Sequence, residues 1–580
     1  MTKIKGAEII MECLRKEGVD VIFGYPGGAN LPMYDALKKY PDIKHVLVRH
    51  EQAAVHAAEG YARSTGKLGV VFVTSGPGIA NTTSGLLDAL SDSVPILCIS
   101  GQVATSSIGT SAFQECDALG ISRTVNKWNV QVRDAGQIAQ TVQAAIRIAT
   151  RGRPGPVLVD VPKDLQAAQV SNPPAPAPYA GLPARRVSSA ALDAAVDLIR
   201  HSRRPVFYGG GGLVNSGDSA CRKFAALVER KRGPCTLTLM GLGAFPASSE
   251  LWLGMLGMHG TLEANLAMHE SDLVVCVGAR FDDRVTGKLS HFCPHARIVH
   301  IDIDPRSIDK VVKADVGLAG DCDTVLAELL EKLGAAPLDH ALTADWWTKI
   351  GTWRAERCLA FSNASSTIIP QQLMKSLASQ LCGKDAIVST DVGQHQMWAA
   401  QYLQFDKPRR WLTSGGAGTM GYGLPAAIGA QVAHPDNTVV CVTGDASVLM
   451  NIQELATAVQ HKCPVKVILS NNGCMGMVRQ WQELHHEARY SHSYSEAMPD
   501  FVAVARAFGW NARRVQHAGE LDEALAECLA SSTPYFLDVV VEQAENCFPM
   551  IPSGHGHHEI LLGKERWYRR ECHDAETIAV

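Results

Sequence analysis

The chain has 580 residues, 46% of them hydrophobic and 19% charged, which by length favours about three domains with ample apolar mass for buried cores. A formal net charge of −4 supplies no basic field of the kind that holds nucleic acid. No stretch approaches the roughly 20 apolar residues of a membrane span, so small-molecule chemistry is the expectation.

The opening residues run directly into an amphipathic pattern, without the apolar core and cleavage site of a secretion signal or the Arg/Ser-rich character of a transit leader. The 16 cysteines are scattered, with no C-x-x-C pair, and read as reduced structural thiols of a cytoplasmic protein.

In chain order, residues 1–170 predict a first α/β domain. Its run "LGVVFVTSG" ends in small polar residues and leads into helical periodicity, as do "SDLVVCVGA" and "NTVVCVTGD" further on. Continuous apolar strands alternating with helices predict parallel sheets covered on both faces. "VLVRHEQAAVHAAEGYARSTG" predicts a strand followed by a helix opening on Glu51, where an acid is favourable in any case. His50 and His56 are too far apart to be the paired ligands of an H-E-x-x-H zinc site.

Residues 171–188 hold "SNPPAPAPYAGLPARR", whose prolines predict an extended linker. A second α/β domain follows at 189–340. Its "RRPVFYGGGGLVNSG", with Gly210, Gly211 and Gly212, lacks the spacing and context of a G-x-G-x-x-G fingerprint. Residues 341–368 interrupt the alternation and predict another linker, 369–548 a third α/β domain, and 549–580 a tail. The expected fold is therefore three doubly wound parallel-sheet domains.

Ligands of such sheets sit beyond the carboxyl ends of the strands, which draws attention to "TGDASVLMNIQELATAVQHKCPVKVILSNN" at 443–472. Ile452, Leu455, Ala456 and Val459 predict a helix between two strands, and the return strand brings Asn472 back to the edge that holds Asp445. Two hard oxygen ligands suit Mg2+, which takes the rest of its about six oxygens from phosphates and water. The alternative is a helix cap at Asp445 and a turn at Asn471 and Asn472.

The separation of Asp445 and Asn472 resembles the cofactor motif of thiamine-diphosphate enzymes, which begins Gly-Asp-Gly and ends Asn-Asn; here Ala446 replaces the second glycine. The stretches "YPGG", "TSGPG", "GTSAFQE", "GMLGMHGTLEAN", "GARFDDRVTGK", "HIDIDP", "DVGQHQMWAA", "GTMGYGLPAAIGA" and "GMVRQWQ", in this order along nearly the whole chain, together resemble the catalytic subunit of acetohydroxyacid synthases. The fold that resemblance implies has a pyrimidine-binding first domain, an FAD-binding middle domain and a diphosphate-binding third domain.

By that resemblance, Asp445, Asn472 and the backbone carbonyl of Cys474 hold Mg2+. Glu51 activates thiamine diphosphate by sharing a proton with its aminopyrimidine ring, in a way that suits a buried carboxyl. Pro26, Gly76 and Asn81 line the pyrimidine side. Val392, Gly393, Gln394, His395, Gly418, Gly444, Ser447, Met475 and Gly476 line the diphosphate side, and Met420 props the cofactor into its bent shape. Gly28, Gln114 and Lys127 stand near the reacting groups. Phe113, Met477 and Trp481 shape the substrate pocket, and Arg284 offers a planar fork to the second acid's carboxylate. His259, Gly260, Thr261, Gly278, Arg280, Asp282, Asp302 and Asp321 join Gly210 to Gly212 and Arg284 around FAD. The bland alternatives are a surface ion pair for Arg284 with Asp282 or Asp283, a core aromatic for Trp481 and a solvated strand end for Asp302.

The implied reaction decarboxylates pyruvate and transfers its two-carbon unit to a second pyruvate or to 2-ketobutyrate, the first common step towards branched-chain amino acids. The implied assembly is a homodimer or homotetramer, with each site formed between the first domain of one chain and the third of another, and with a separate small regulatory subunit as a further partner. Rival readings are another carboligase or decarboxylase of the superfamily, a pyruvate-oxidase-like flavoenzyme, or a non-enzymatic subunit; the last would lack Glu51, Asp445 or Asn472. The chain departs from its relatives at Ala104, Ser111, Trp128, Cys474 and Met475, and Ala104 predicts reduced sensitivity to sulfonylurea inhibitors. "SGHGHHE", with His555, His557 and His558, is assigned no metal and reads as part of a polar tail.

Overall fold

The computed structural model describes residues 3–171, 187–335, 338–362 and 366–568. Most of the 171–188 linker and the end of the tail lie outside the described residues. The described chain forms three six-stranded sheets whose neighbouring strands all run parallel, and two short antiparallel pairs. No helix among the described residues is long and apolar enough to cross a membrane, and their cysteines are all free.

The chain divides into two compact units. The first unit contains residues 1–182, 366–396 and 409–543, and so two of the sheets. One sheet runs Lys44–Leu47, Val21–Gly24, Gly69–Val73, Ile96–Gln102, Val157–Pro162 and Trp128–Gln131. The other runs Trp411–Leu412, Ile387–Thr390, Val439–Gly444, Lys466–Asn471, Tyr535–Val540 and Asn511–Val515. Central strands such as Gly69–Val73 and Val439–Gly444 are buried at every position, which is why their sequences are uninterrupted apolar runs rather than alternating ones.

Helices Glu51–Thr65 and Gly423–Ala433 join these two sheets. A β-carbon at Gly60 would lie 2.0 Å from the carbonyl oxygen of Ala426, and one at Gly429 would lie 1.8 Å from that of Ala57. Glycine is what lets the two backbones touch, so Gly/Ala patterning in both helices builds the contact.

The second unit contains residues 183–365, 397–408 and 544–580. Its sheet runs Trp252–Met255, Cys235–Leu237, Pro205–Gly209, Leu273–Val277, Arg297–Asp302 and Val316–Ala319. Within 341–368 lies helix Ala344–Ala355, with Trp346, Ile350 and Trp353 buried in this unit's core beside Ile551 and Ile560.

Candidate active site

The strands Val439–Gly444 and Lys466–Asn471 are parallel neighbours, with Gly444 opposite Ser470, so the residues just past their ends face one another. Asp445, 1% exposed, is the first residue of a short helix. Its Oδ2 accepts the backbone N–H groups of Gly473 at 2.7 Å and Asn472 at 3.1 Å, and its Oδ1 accepts that of Ala446 at 2.6 Å. The Asn472 side-chain oxygen accepts the N–H of Cys474 at 3.3 Å, and Gly473 takes a positive φ of 65° to make the turn. Burial pushes the Asp445 carboxyl up to about 6, and the groups that oppose it are backbone N–H donors. A buried carboxylate held only by such dipoles has capacity left for a cation.

The predicted connection differs in one respect. A 3-10 turn, Ile452–Glu454, precedes a helix of only Leu455–Gln460. Leu455 and Ala458 face the core while Val459 is 39% exposed, because the tighter turn shifts the phase of the apolar face.

Several predicted residues gather around this pair. A β-carbon at Gly476 would meet the Gln394 side-chain oxygen at 2.1 Å and the Asn472 side-chain nitrogen at 2.6 Å, so these three groups converge. Gln394 donates to Gln480 at 2.8 Å. The His395 ring lies where β-carbons on Gly393 and Gly444 would fall, at 2.8 and 2.9 Å, and burial lowers its pKa to about 4, leaving it neutral. Ser447 donates to the Val392 carbonyl at 3.0 Å. Met475 and Met477 are half-buried beside the buried Cys474, and Trp481 sits a turn later against His485.

The glycine-rich loop bearing Gly418 and Met420 is held in place by acids. Asp92 accepts the N–H groups of Gly415 and Gly416 at 2.9 and 2.7 Å, Asp88 accepts the hydroxyl of Thr419 at 3.0 Å, and Asp391 accepts the N–H of Gly421 at 2.8 Å. Asp88 adjoins His56 and Glu59, all fully buried. Burial raises Glu59 to about 8 and Asp88 well above its ordinary value, while it lowers His56. The 3.0 Å His56–Glu59 contact is therefore a hydrogen bond between neutral groups, and burial favours the protonated form of both acids. Sequence reading missed this cluster; the signal available was two acids and a histidine inside apolar helices.

Glu51, 9% exposed, opens helix Glu51–Thr65, whose N-cap is His50. Its Oε2 accepts the side-chain N–H of Asn81 at 2.9 Å, and Gly78 closes over its other oxygen, where a β-carbon would lie at 3.5 Å. Gly76 packs against Gln114, whose φ of 61° marks a tight turn. Pro26 and Gly28 follow strand Val21–Gly24, in a loop that Ala29 ties to Thr74 at 3.3 Å. Arg49, two residues before Glu51, donates its N–H to Glu454 at 3.0 Å. Phe113 is 88% exposed. Lys127 donates to the carbonyls of Ile148 and Arg151 at the end of helix Ile138–Thr150, so its ammonium caps that helix.

In the second unit the turns after strands Pro205–Gly209 and Leu273–Val277 meet backbone to backbone. Gly212 donates to the Gly278 carbonyl at 2.9 Å, and Gly278 has a φ of 62°. Gly210 also packs against Gly278, and Gly211 begins the short helix Gly211–Asn215. Asp282 and Asp321 cap helices, and Asp321 also accepts the Ser216 hydroxyl at 2.9 Å. Asp302 ends its strand and accepts the Asp304 N–H at 2.8 Å. Thr261 caps helix Leu262–Glu270, and the turn at Gly260 before it packs on Leu256. His259 is buried, with one ring nitrogen near the Pro549 carbonyl at 3.3 Å and the other without a hydrogen-bond partner. Arg284, beside Asp283 at 3.9 Å, has a side chain 62% exposed, and Arg280 is exposed.

Three family models match in order: thiamine pyrophosphate enzyme N-terminal TPP binding domain over residues 4–121, central domain over 192–329, and C-terminal TPP binding domain over 391–539. The acetolactate synthase large subunit of Haemophilus influenzae is 46% identical over 97% of this chain and 99% of its own length. Acetolactate synthase isozyme 3 large subunit of Escherichia coli K12 is 47% identical over 97% of this chain and 99% of its own length. The mitochondrial acetolactate synthase catalytic subunit of Saccharomyces cerevisiae is 44% identical over 96% of this chain and 84% of its own length. With likeness of this degree along almost its whole length, the chain belongs to the thiamine pyrophosphate enzymes, in the family of acetolactate synthase large subunits.

Proposed function

We propose that the chain is the catalytic subunit of an acetolactate synthase in which Glu51 and the Asp445–Asn472 pair grip opposite ends of thiamine diphosphate. The substrates are two pyruvates, or pyruvate and 2-ketobutyrate, and the products are the acetohydroxy acids that feed branched-chain amino acid synthesis. The observation that carries this reading is the approach of Asp445 to the backbone of Asn472 and Gly473 across two strand ends.

At those ends, the Asp445 carboxylate, the Asn472 side-chain oxygen and the Cys474 carbonyl would hold Mg2+ against a diphosphate. The chemistry is that of hard oxygen ligands, with most of the coordination left to phosphate and water. The loop around Gly418 would offer backbone to the diphosphate, and Met420 would support the cofactor. When bound, thiamine diphosphate supplies a carbon acid whose conjugate base adds to a keto group and accepts the electron pair released with carbon dioxide. Glu51, steadied by Asn81, holds and returns a proton at the aminopyrimidine nitrogen. Trp481 and Met477 bound the acceptor pocket, and Gln114, Gly28 and Phe113 border the reacting groups from the first sheet.

FAD, typical of this enzyme class, would bind the second unit. His259 has a buried ring nitrogen lacking a partner and fits such a polar ligand. Its role there is structural, with no net redox change. The working assembly has at least two copies, Glu51 of one facing Asp445 of the other, and accepts a small regulatory subunit.

Purified protein incubated with pyruvate is expected to form acetolactate only when thiamine diphosphate and Mg2+ are both present, without oxygen uptake. Turnover that ignores removal of the cofactor would contradict the proposal, and oxygen uptake coupled to turnover would identify an oxidase instead.

A further inference from the structure

In the second unit, segment 283–291 and the segment beginning at Ser553 lie together. Lys288 donates its backbone N–H to the His555 carbonyl at 3.0 Å, and His557 donates from its ring to the Val285 carbonyl at 2.6 Å. His557 is thus directed inward by a backbone bond. His558, its neighbour in sequence, points elsewhere and meets His291 with ring centroids 5.4 Å apart. Glu559 joins them, its Oε2 lying 3.8 Å from the His291 Nδ1.

One ligand atom from each of His291, His558 and Glu559 lies within 4.8 Å of the others. Three details separate this arrangement from an ordinary polar surface. The Nδ1 atoms of His291 and His558 are buried and have no hydrogen-bond partner, an arrangement that ordinarily costs free energy. The Glu559 carboxylate is oriented by the Gly556 N–H at 2.8 Å. Gly556 is also the residue that makes room, because a β-carbon there would sit 3.1 Å from the His291 Nδ1 and 3.1 Å from the His558 ring. Behind them, His269 is fixed by its Nδ1 on the His291 carbonyl at 3.2 Å and lies against His558 with ring centroids 4.4 Å apart and the rings tilted by 31°.

We propose that His291, His558 and Glu559 form a binding site for a borderline divalent transition metal such as Zn2+, distinct from the Mg2+ site at Asp445. Two imidazoles and one carboxylate are a donor set that such ions favour over Mg2+, with bonds of about 2.0–2.2 Å. Tetrahedral bonds of that length put ligand atoms about 3.3 Å apart, a closure of up to about 1.5 Å from the separations here. The three residues are partly exposed as whole side chains, and a water would complete the tetrahedron. The site would clasp the C-terminal segment to the segment that carries Arg284, cross-bracing the second unit. It makes no use of thiamine diphosphate and stands independently of the catalytic reading.

Metal-stripped protein saturated with thiamine diphosphate, Mg2+ and FAD is dialysed against Zn2+, and bound zinc is counted by elemental analysis. One Zn2+ per chain is expected, with a rise in unfolding temperature. His558→Gln and Glu559→Gln should each weaken zinc binding by about tenfold or more and remove the temperature rise while flavin retention is unchanged. His291→Gln provides a third, independent removal of a ligand from the other segment. Absence of bound zinc in the parent protein, or zinc binding that survives all three substitutions undiminished, would overturn the proposal.

Discussion

Asp445 and Gly473 are joined by a 2.7 Å hydrogen bond from the glycine's N–H to the aspartate's Oδ2, and that bond fixes where the turn carrying Asn472 begins. The carboxylate does two things there. It organises the turn through backbone donors, and it leaves lone pairs directed at the space the turn encloses. Asp445→Asn should keep the fold but reduce Mg2+-dependent acetolactate formation by about 100-fold or more. Activity titrated against Mg2+ and thiamine diphosphate checks this, and retention of near-parent turnover would contradict it.

Glu51→Gln keeps an oxygen for Asn81 to bond but cannot exchange a proton. Its turnover number should fall by roughly 10²–10⁴-fold while affinity for thiamine diphosphate changes little. The measurement is cofactor binding by fluorescence quenching beside steady-state rate, and proportional loss of both would assign Glu51 to binding rather than to proton transfer.

The buried Glu59 and Asp88 predict a pH dependence of stability. Burial raises Glu59 from 4.5 to about 8, so between these values the folded chain holds a proton that the unfolded chain has released. Stability contributed by this pair is present at low pH and is lost as pH rises through that window. Glu59→Gln should flatten the dependence by up to about 1.4 kcal/mol per pH unit. Denaturant unfolding at several pH values between 5 and 8 measures it, and parallel curves for parent and variant would refute a buried, protonated Glu59.

Gly429→Ala places a methyl group where Ala57's carbonyl oxygen is 1.8 Å away. It should destabilise the first unit by about 3 kcal/mol. Gly351, inside helix Ala344–Ala355, has nothing within 4 Å of its added β-carbon, and Gly351→Ala should instead stabilise by about 0.5–1 kcal/mol. Thermal unfolding of both variants beside the parent tests the contrast.

Much of the architecture was legible because buried parallel strands have uninterrupted apolar sequences, as at Val439–Gly444 and Leu273–Val277. Asp445 and Asn472 were legible for the same reason, since a strand, a helical return and a strand place both at one sheet edge. The joining of the first and third sheets into one unit was not. It depends on Gly60 and Gly429, and glycines in Ala-rich helices look the same whether they face a backbone or a side chain. Helix Ala344–Ala355 lies in the stretch expected as linker, although Trp346, Ile350 and Trp353 carry helical spacing, because the polar residues around them mask the pattern. Lys127 drew attention by resemblance alone, and its bonds to Ile148 and Arg151 are visible only once the helix end is in place. His291 and His558 are brought together by the fold, so the local sequence at 555–558, which is assigned no metal, gives no sign of their proximity.

We propose that Glu51 of one copy and Asp445 of another act on one cofactor molecule. The most direct test is acetolactate formation by chains carrying Glu51→Gln co-expressed with chains carrying Asp445→Asn, each nearly inactive alone. Activity is expected to recover in the mixed assembly, because one of its two sites has both native residues. A mixed assembly as inactive as its parents would contradict it.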